Sequence, residues 1–124
     1  MSTLKVNDIE EATSGGGKVF VNRAWVKFNG TGTVSIGSDG NVTSITDNGT
    51  GLYTINFTNA LTDANHSTVG SCKEASLGYG DFVSFPLSGG TYSSTAVQIR
   101  TTRAWNDTQN ANTDADIANV QVAR

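Results

Sequence analysis

The side chains best suited to nucleophilic chemistry lie in one short stretch of the chain. His66 is the single histidine and Cys72 the single cysteine, with Ser67 and Ser71 between them. A His–Ser dyad needs both side chains on one face, but neighbours in a strand point to opposite faces. The residues around Ser71 also lack the spacing of a G-x-S-x-G nucleophile elbow. We therefore expect no enzymatic activity, and we expect His66 to be a surface histidine.

Metal and phosphate sites are weakly supported. One histidine and one cysteine fall short of the three or four ligands of a zinc site. Ala115 stands where a calcium loop needs glycine, and no bidentate glutamate follows it. A solvated polar loop is therefore favoured, with a calcium site as the alternative. The glycines at 15–17 and 78–80 lack the other residues of nucleotide-binding loops, so no cofactor is predicted. The candidate calcium ligands alternate along the chain and are Asn110, Asn112, Asp114 and Asp116.

The composition indicates one soluble domain without a nucleic-acid or membrane role. The chain has 124 residues and a net charge of −3, so it lacks the basic footprint of a nucleic-acid-binding protein. No stretch reaches the roughly 18 apolar residues of a membrane span, and residues 1–5 do not resemble a signal peptide. The single cysteine excludes a disulfide within the chain and fits synthesis in a reducing cytoplasm.

A predicted hairpin at residues 42–57 organises the chain. Tyr53, Ile55 and Phe57 alternate with polar residues, which is the pattern of a strand with one buried face. Val42 and Ile45 lie in a preceding run of strand-forming residues. The connection, residues 47–51, contains Asn-Gly and a second glycine, which favour a tight turn.

Further strands are predicted over residues 19–28, 33–36, 67–73, 81–87, 92–104 and 117–122. Residues 38–41 read as another hairpin turn, and residues 105–116 read as a polar loop. Short strands joined by many turns predict an all-β fold: a single antiparallel β-sandwich, or a jelly-roll-like barrel, of about eight strands.

The first 17 residues are predicted to form an N-terminal arm with a glycine-rich joint, and residues 18–124 the β-sandwich domain. The triple glycine is either a flexible joint or a short surface loop, and the sequence favours neither. The apolar side chains Leu4, Val6 and Ile9 are the predicted contacts of the arm with sister subunits or other proteins.

Trp25 is a further candidate contact residue. On the predicted strand 19–28 it shares a face with Arg23 and Lys27, whereas Ala24, Val26 and Phe28 point the other way. It could pack against a neighbouring subunit, with the cations stacking on its ring. The favoured interpretation is that its own chain covers it.

Several blocks of the sequence belong together as a recognisable pattern. They are residues 23–34 (RAWVKFNGTGTV) and 44–57 (SITDNGTGLYTINF), with the opening 2–7 and the closing 116–124. These blocks resemble a domain that recurs in tail-fibre-like and other structural proteins of tailed bacteriophages, especially those of marine and cyanobacterial hosts. The resemblance implies a β-rich, non-catalytic part of the virion, made in the host bacterial cytoplasm. No shaft sequence accompanies the domain, so a capsid decoration protein is the alternative.

The partners expected on this basis are other virion proteins and further copies of the chain, with a homotrimer favoured. A host surface glycan is an additional candidate partner, because aromatic rings beside amide or carboxylate oxygens suit a sugar. A free carbohydrate-binding module is therefore a third functional reading. The two rings are those of Tyr79 and Trp105. The alternative is that both rings cap the core under their own loops. The predicted receptor-binding residues are Tyr79, Trp105, Asn106 and Asp107.

Overall fold

The computed structural model describes residues 2–3, 22–74, 81–85, 89–106 and 109–124. These residues contain nine strands and no helix, which confirms the all-β class. In chain order the strands are β1 (Asn22–Asn29), β2 (Ser35–Gly40), β3 (Val42–Gly49), β4 (Leu52–Phe57), β5 (Ser67–Lys73), β6 (Asp81–Ser84), β7 (Ala96–Asn106), β8 (Gln109–Asn112) and β9 (Ile117–Ala123).

The strands form two antiparallel sheets. The four-stranded sheet has the order β2-β1-β9-β5, and the five-stranded sheet has the order β3-β4-β7-β6 with β8 also paired to β7. β7 is long enough to pair with β4 along its first half and with β8 along its second half. The described strands do not close into one barrel, so the β-sandwich is the form that the fold takes.

The core lies between the two sheets and is built by alternation. Along β1, β4 and β9 every second side chain is buried, as period two requires when one face of a sheet is covered. Phe28 meets Tyr53 edge to face across the core, with ring centroids 5.1 Å apart. The buried apolar side chains of the three strands are Ala24, Val26, Phe28, Tyr53, Ile55, Phe57, Ala118, Val120 and Val122.

The predicted hairpin at 42–57 is confirmed, since β3 and β4 pair as antiparallel neighbours. Its turn depends on glycine. Gly51 has φ +65°, and a Cβ there would lie 2.6 Å from the carbonyl oxygen of Thr101. Thr101 N–H in turn donates to the Gly51 carbonyl at 2.8 Å, so the turn is fastened to the middle of β7.

The prediction of a hairpin turn at 38–41 is wrong. β2 pairs with β1 in one sheet and β3 pairs with β4 in the other, so the chain crosses between the sheets at Asn41. Asn41 has φ +58°, its Nδ2 donates to the carbonyls of Arg23 and Asn59, and its Oδ1 accepts from Asn59 N–H. A hairpin turn and a crossover between the sheets both need a turn-forming residue, so the local sequence pattern does not distinguish one from the other.

The prediction of a polar loop over residues 105–116 is also wrong for half of its length. β7 continues to Asn106, and β8 (Gln109–Asn112) returns beside it. Polar residues can thus pair as strands through backbone hydrogen bonds without an alternating apolar pattern. Only residues 113–116 connect β8 to β9.

Candidate functional site

The outward surface of the four-stranded sheet brings together residues from distant parts of the chain. The registers align Gly40, Trp25, Gln121 and Val69 in one row across β2, β1, β9 and β5. We call this surface the Trp25 face. A second row runs beside the first and consists of Ser38, Lys27, Asn119 and Ser71.

Trp25 is the largest side chain on this face, and 41% of its surface is exposed. The edge of the indole that carries Nε1 lies over Gly40, where a Cβ would approach Nε1 to 2.3 Å. Gly40 therefore allows the ring to rest against β2. The expectation that its own chain covers Trp25 therefore holds in part, and the exposed part of the side chain is accessible to a ligand or partner.

The Trp25 face carries positive charge. Lys27 and Lys73 point outward and are exposed, and Arg23 is exposed at a β-bulge at one end of the face. The single carboxylate on these four strands belongs to Asp39, which pairs with the core-facing Val26 at the edge of the sheet. The described outward-facing side chains of these four strands thus include cations and no acid, in a chain of net charge −3. Asp116, in the loop just before β9, is a neighbouring carboxylate, since it lines a surface pocket together with Lys27.

A polar cleft of about 440 Å³ opens at the end of the sandwich beside Arg23. Its wall includes Arg124, which forms an ion pair with Asp63. The Asn65 backbone N–H and then Arg124 hold the pKa of the Asp63 carboxyl below its usual range. The Arg23 guanidinium reaches the carbonyl oxygen of Arg124 through Nε at 3.4 Å. The remaining lining residues are Asn41, Thr58, Asn59, Ala60, Leu61 and Thr62.

Two touching aromatic side chains, Phe85 and Tyr92, are exposed near the β5 and β6 side of the molecule, and we call them the aromatic edge. They are 45% and 40% exposed, and their rings meet edge to face with centroids 5.3 Å apart. Phe82 is also exposed, but alternation along β6 places it on the face opposite to the core-packed Val83. Sequence reasoning missed the aromatic edge, because Phe85 was read only as part of a strand.

His66 lies beneath Tyr92, and the expectation of a surface histidine is wrong. Its side chain is buried and stacks on the Tyr92 ring, with centroids 4.2 Å apart and planes 18° from parallel. Nε2 donates to the Ser93 carbonyl at 3.1 Å, and Nδ1 shares a hydrogen bond with the Thr68 hydroxyl at 3.1 Å. The histidine therefore has a packing role in supporting the aromatic edge.

Asp114 supports the turns rather than an ion. Its Oδ1 accepts from Gly51 N–H at 2.8 Å and from the Tyr53 hydroxyl at 2.7 Å. Burial, followed by the nearby Asp114 carboxylate, raises the pKa of Tyr53 well above its ordinary value of 10.0. No group of three potential metal-ligating side chains occurs within the described residues. Of the candidate calcium ligands with described side chains, Asn112 ends β8, and Asp114 and Asp116 lie in the loop that follows it.

Cys72 is poorly suited to nucleophilic chemistry. Burial, followed by the nearby Asp81 carboxylate, raises the pKa of its thiol to about 11. A thiol with a raised pKa has little thiolate at neutral pH, and the thiolate is the reactive form. Cys72 instead packs against the core from the inward side of β5.

Most of the receptor-binding and arm residues predicted from sequence lie outside the described residues. These are Tyr79 and Asp107 for the receptor and Leu4, Val6 and Ile9 for the arm. Trp105 and Asn106 end β7, and the structure describes the backbone alone for these two residues. Of the predicted contact residues, Trp25 alone has a described side chain. Val69 and Gln121 join it through strand register, which sequence pattern does not reveal.

Comparisons with known proteins give no assignment. No protein-family model matches the chain, no curated protein matches it, and no solved structure resembles it closely enough to count as a match. Within the described part of the chain, no helix is long and apolar enough to cross a membrane.

Proposed function

We propose that this protein is a non-catalytic structural component of a tailed-bacteriophage particle, a tail-fibre-like module that contacts other virion proteins and assembles as a homo-oligomer. The observation that carries the proposal is the aromatic edge on a small all-β sandwich. The resemblance of residues 23–34 and 44–57 to virion proteins supports the same reading. A trimer is the favoured assembly, and the N-terminal arm is the proposed attachment to the particle.

The aromatic edge supports an assembly contact because of its chemistry and position. Exposed aromatic side chains that touch one another are characteristic of the buried centres of protein interfaces. Phe85 and Tyr92 form such a pair, and His66 stacks behind Tyr92 to hold it in place. The neighbouring strands β5 and β6 each pair with one strand among the described residues, so they are sheet edges beside which a further chain could lie.

The oligomer can be tested by light scattering on the purified full chain. The double substitution Phe85→Ser and Tyr92→Ser should convert the oligomer to a monomer, because it removes the two touching rings from the proposed contact. Trp25→Ser is the matched control, an exposed aromatic on the other sheet, and should leave the oligomer intact. A wild-type monomer at virion-like concentrations, or an oligomer unaffected by the double substitution, would contradict the assembly role.

The Trp25 face favours a second candidate function, that of a free carbohydrate-binding module. An accessible indole with amide and hydroxyl side chains beside it is suited to a sugar ring. This function predicts a soluble monomer or dimer that is absent from phage particles and binds glycans. Capsid decoration remains an alternative within the virion class and differs from the tail assignment only in location on the particle.

A further inference from the structure

We propose that the Trp25 face binds an acidic polysaccharide. The proposal rests on three features that strand pairing brings to one surface: an exposed indole ring, the amide and hydroxyl side chains of Gln121, Asn119, Ser38 and Ser71, and three cations with one neighbouring carboxylate, Asp116, among the described residues. It goes beyond the virion role, because it concerns a ligand of the isolated chain wherever that chain is located.

The indole provides the apolar contact. Trp25 lies between Gly40 and Gln121 in its row, so its cross-strand neighbours are a glycine and an amide. The ring rests on Gly40, and 41% of the residue's surface is exposed. A sugar ring has apolar C–H faces that can stack on such a surface, while its hydroxyl groups remain free for hydrogen bonds.

The amides beside the ring have unused hydrogen-bonding capacity. Gln121 accepts a long 3.4 Å hydrogen bond from Asn22 through Oε1, and its Nε2 has no hydrogen-bond partner among the described residues. The Asn119 side chain has no hydrogen-bond partner among the described residues, and it lies between Lys27 and Ser71 in the second row. Amide groups both donate and accept, which suits the mixed donors and acceptors of carbohydrate hydroxyls.

The charge distribution selects an acidic glycan over a neutral one. Arg23 and Lys27 flank Trp25 along β1 at two-residue spacing, and Lys73 lies at the end of β5. Residues two apart in a strand are separated by roughly 7 Å, so the two cations lie on either side of the stacked ring. Carboxylate or sulfate groups on a chain running along β1 could pair with both cations.

A second copy of the chain fits this face less well. Two large apolar side chains, Trp25 and Val69, lie on the face, and Gln121 separates them. They provide little apolar area, whereas a stable interface typically buries about 800 Å² on each partner. An isologous contact would also bring the lysines and arginine of one copy against those of the other. Self-association through the face is therefore an outcome that the test must be able to reveal.

The experiment titrates the full-length chain with three probes by isothermal calorimetry: uronate hexasaccharides from alginate, neutral maltohexaose, and single-stranded DNA of similar charge. We expect the uronate oligosaccharide alone to bind, with an affinity that falls as NaCl is raised. Trp25→Ala and Lys27→Gln should each weaken that binding by about tenfold or more. Phe82→Ala, an exposed aromatic on the other sheet, should leave it unchanged.

Other results would overturn the proposal. No binding of the acidic probe, equal binding of the neutral probe, or equal binding of DNA would each remove the acidic polysaccharide as the ligand. Binding that persists in both Trp25→Ala and Lys27→Gln would place the site elsewhere. An oligomer that dissociates on Trp25→Ala would assign the face to a second copy. Lys27 is exposed, so Lys27→Gln should fold normally. This variant keeps the test decisive even if Trp25→Ala does not fold.

Discussion

At the scale of single residues, the Tyr53 hydroxyl is the most informative group in the core. It donates to Asp114 at 2.7 Å and lies 3.1 Å from the Gly30 carbonyl, joining three loops at one end of the sandwich. Tyr53→Phe removes this hydroxyl and leaves the carboxylate of Asp114 with fewer donors. We expect the free energy of unfolding to fall by about 2 kcal/mol in urea denaturation. A loss below about 0.5 kcal/mol would show that water replaces the hydroxyl.

The same residue should make the protein sensitive to alkali. The pKa of Tyr53 is raised by burial and Asp114, so above about pH 10 the unfolded chain loses a proton that the folded chain keeps. The unfolded state then binds fewer protons, and stability falls as the pH rises, by up to about 1.4 kcal/mol per pH unit. Tyr53→Phe should lack this part of the decline when both proteins are measured between pH 9 and 11.

Gly51 offers a test of backbone crowding with a built-in comparison. Gly51 and Gly32 have similar φ values, +65° and +62°, but a Cβ at Gly51 would clash with backbone atoms of Thr101 and Thr113, whereas nothing lies within 4 Å at Gly32. Gly32→Ala should cost about 1 kcal/mol for the left-handed backbone alone. Gly51→Ala should cost at least about 2 kcal/mol more, because the turn must move away from β7. Equal losses in thermal or urea unfolding would contradict the proposed fastening of the turn.

Sequence reasoning was least successful for residues whose role depends on distant partners. Nothing near His66 in the chain indicates that Tyr92, 26 residues later, stacks on it. Trp25 and its two flanking cations were predicted to share a face because alternation along one strand is a local property. Gln121 and Val69 could not be added to that face, because strand register is determined by the whole core.

At the scale of elements, the crossover between the sheets depends on Asn41. Its side chain makes three hydrogen bonds, to Arg23 and Asn59, while its backbone has φ +58°. Asn41→Gly should lower the free energy of unfolding by about 2 kcal/mol through the lost hydrogen bonds. Asn41→Ala should lower it by about 1 kcal/mol more, because alanine is strained in this conformation.

Asn59→Ala serves as the control for the crossover. Asn59 bonds to Asn41 only through its backbone, and its exposed side chain has no described hydrogen-bond partner. Its substitution should therefore change stability by less than about 0.5 kcal/mol in the same urea experiment. Similar losses for Asn41→Gly and Asn59→Ala would mean that the Asn41 side chain does not hold the crossover.

Strands with a buried face were predictable from sequence, and the polar strand β8 was not. β1, β4 and β9 alternate apolar and polar residues, so their positions and buried faces follow from period two. β8 reads Gln-Asn-Ala-Asn and contains no alternating apolar signal, so it was taken for loop. The β2–β3 connection was misread because turn residues mark a change of direction without showing which strands pair afterwards.

At the scale of the whole molecule, the sandwich presents two chemically different surfaces. The Trp25 face is cationic and carries amides, whereas the aromatic edge is apolar and adjoins β5 and β6, each of which pairs with one strand among the described residues. This division fits a module that uses one surface for assembly and the other for an acidic ligand. It also separates the two proposals experimentally, because Phe85 and Tyr92 can be changed without altering the Trp25 face.

The central claim, that the protein is part of a phage particle, is tested most directly by gold-labelled antibody on purified particles viewed by electron microscopy. We predict label at the tail or its fibres on wild-type particles, and no label on particles made with residues 1–14 deleted. Label spread over the head would keep the protein in the virion and assign it to capsid decoration. The absence of label from every part of wild-type particles would contradict the virion assignment and leave the free carbohydrate-binding module as the function to pursue.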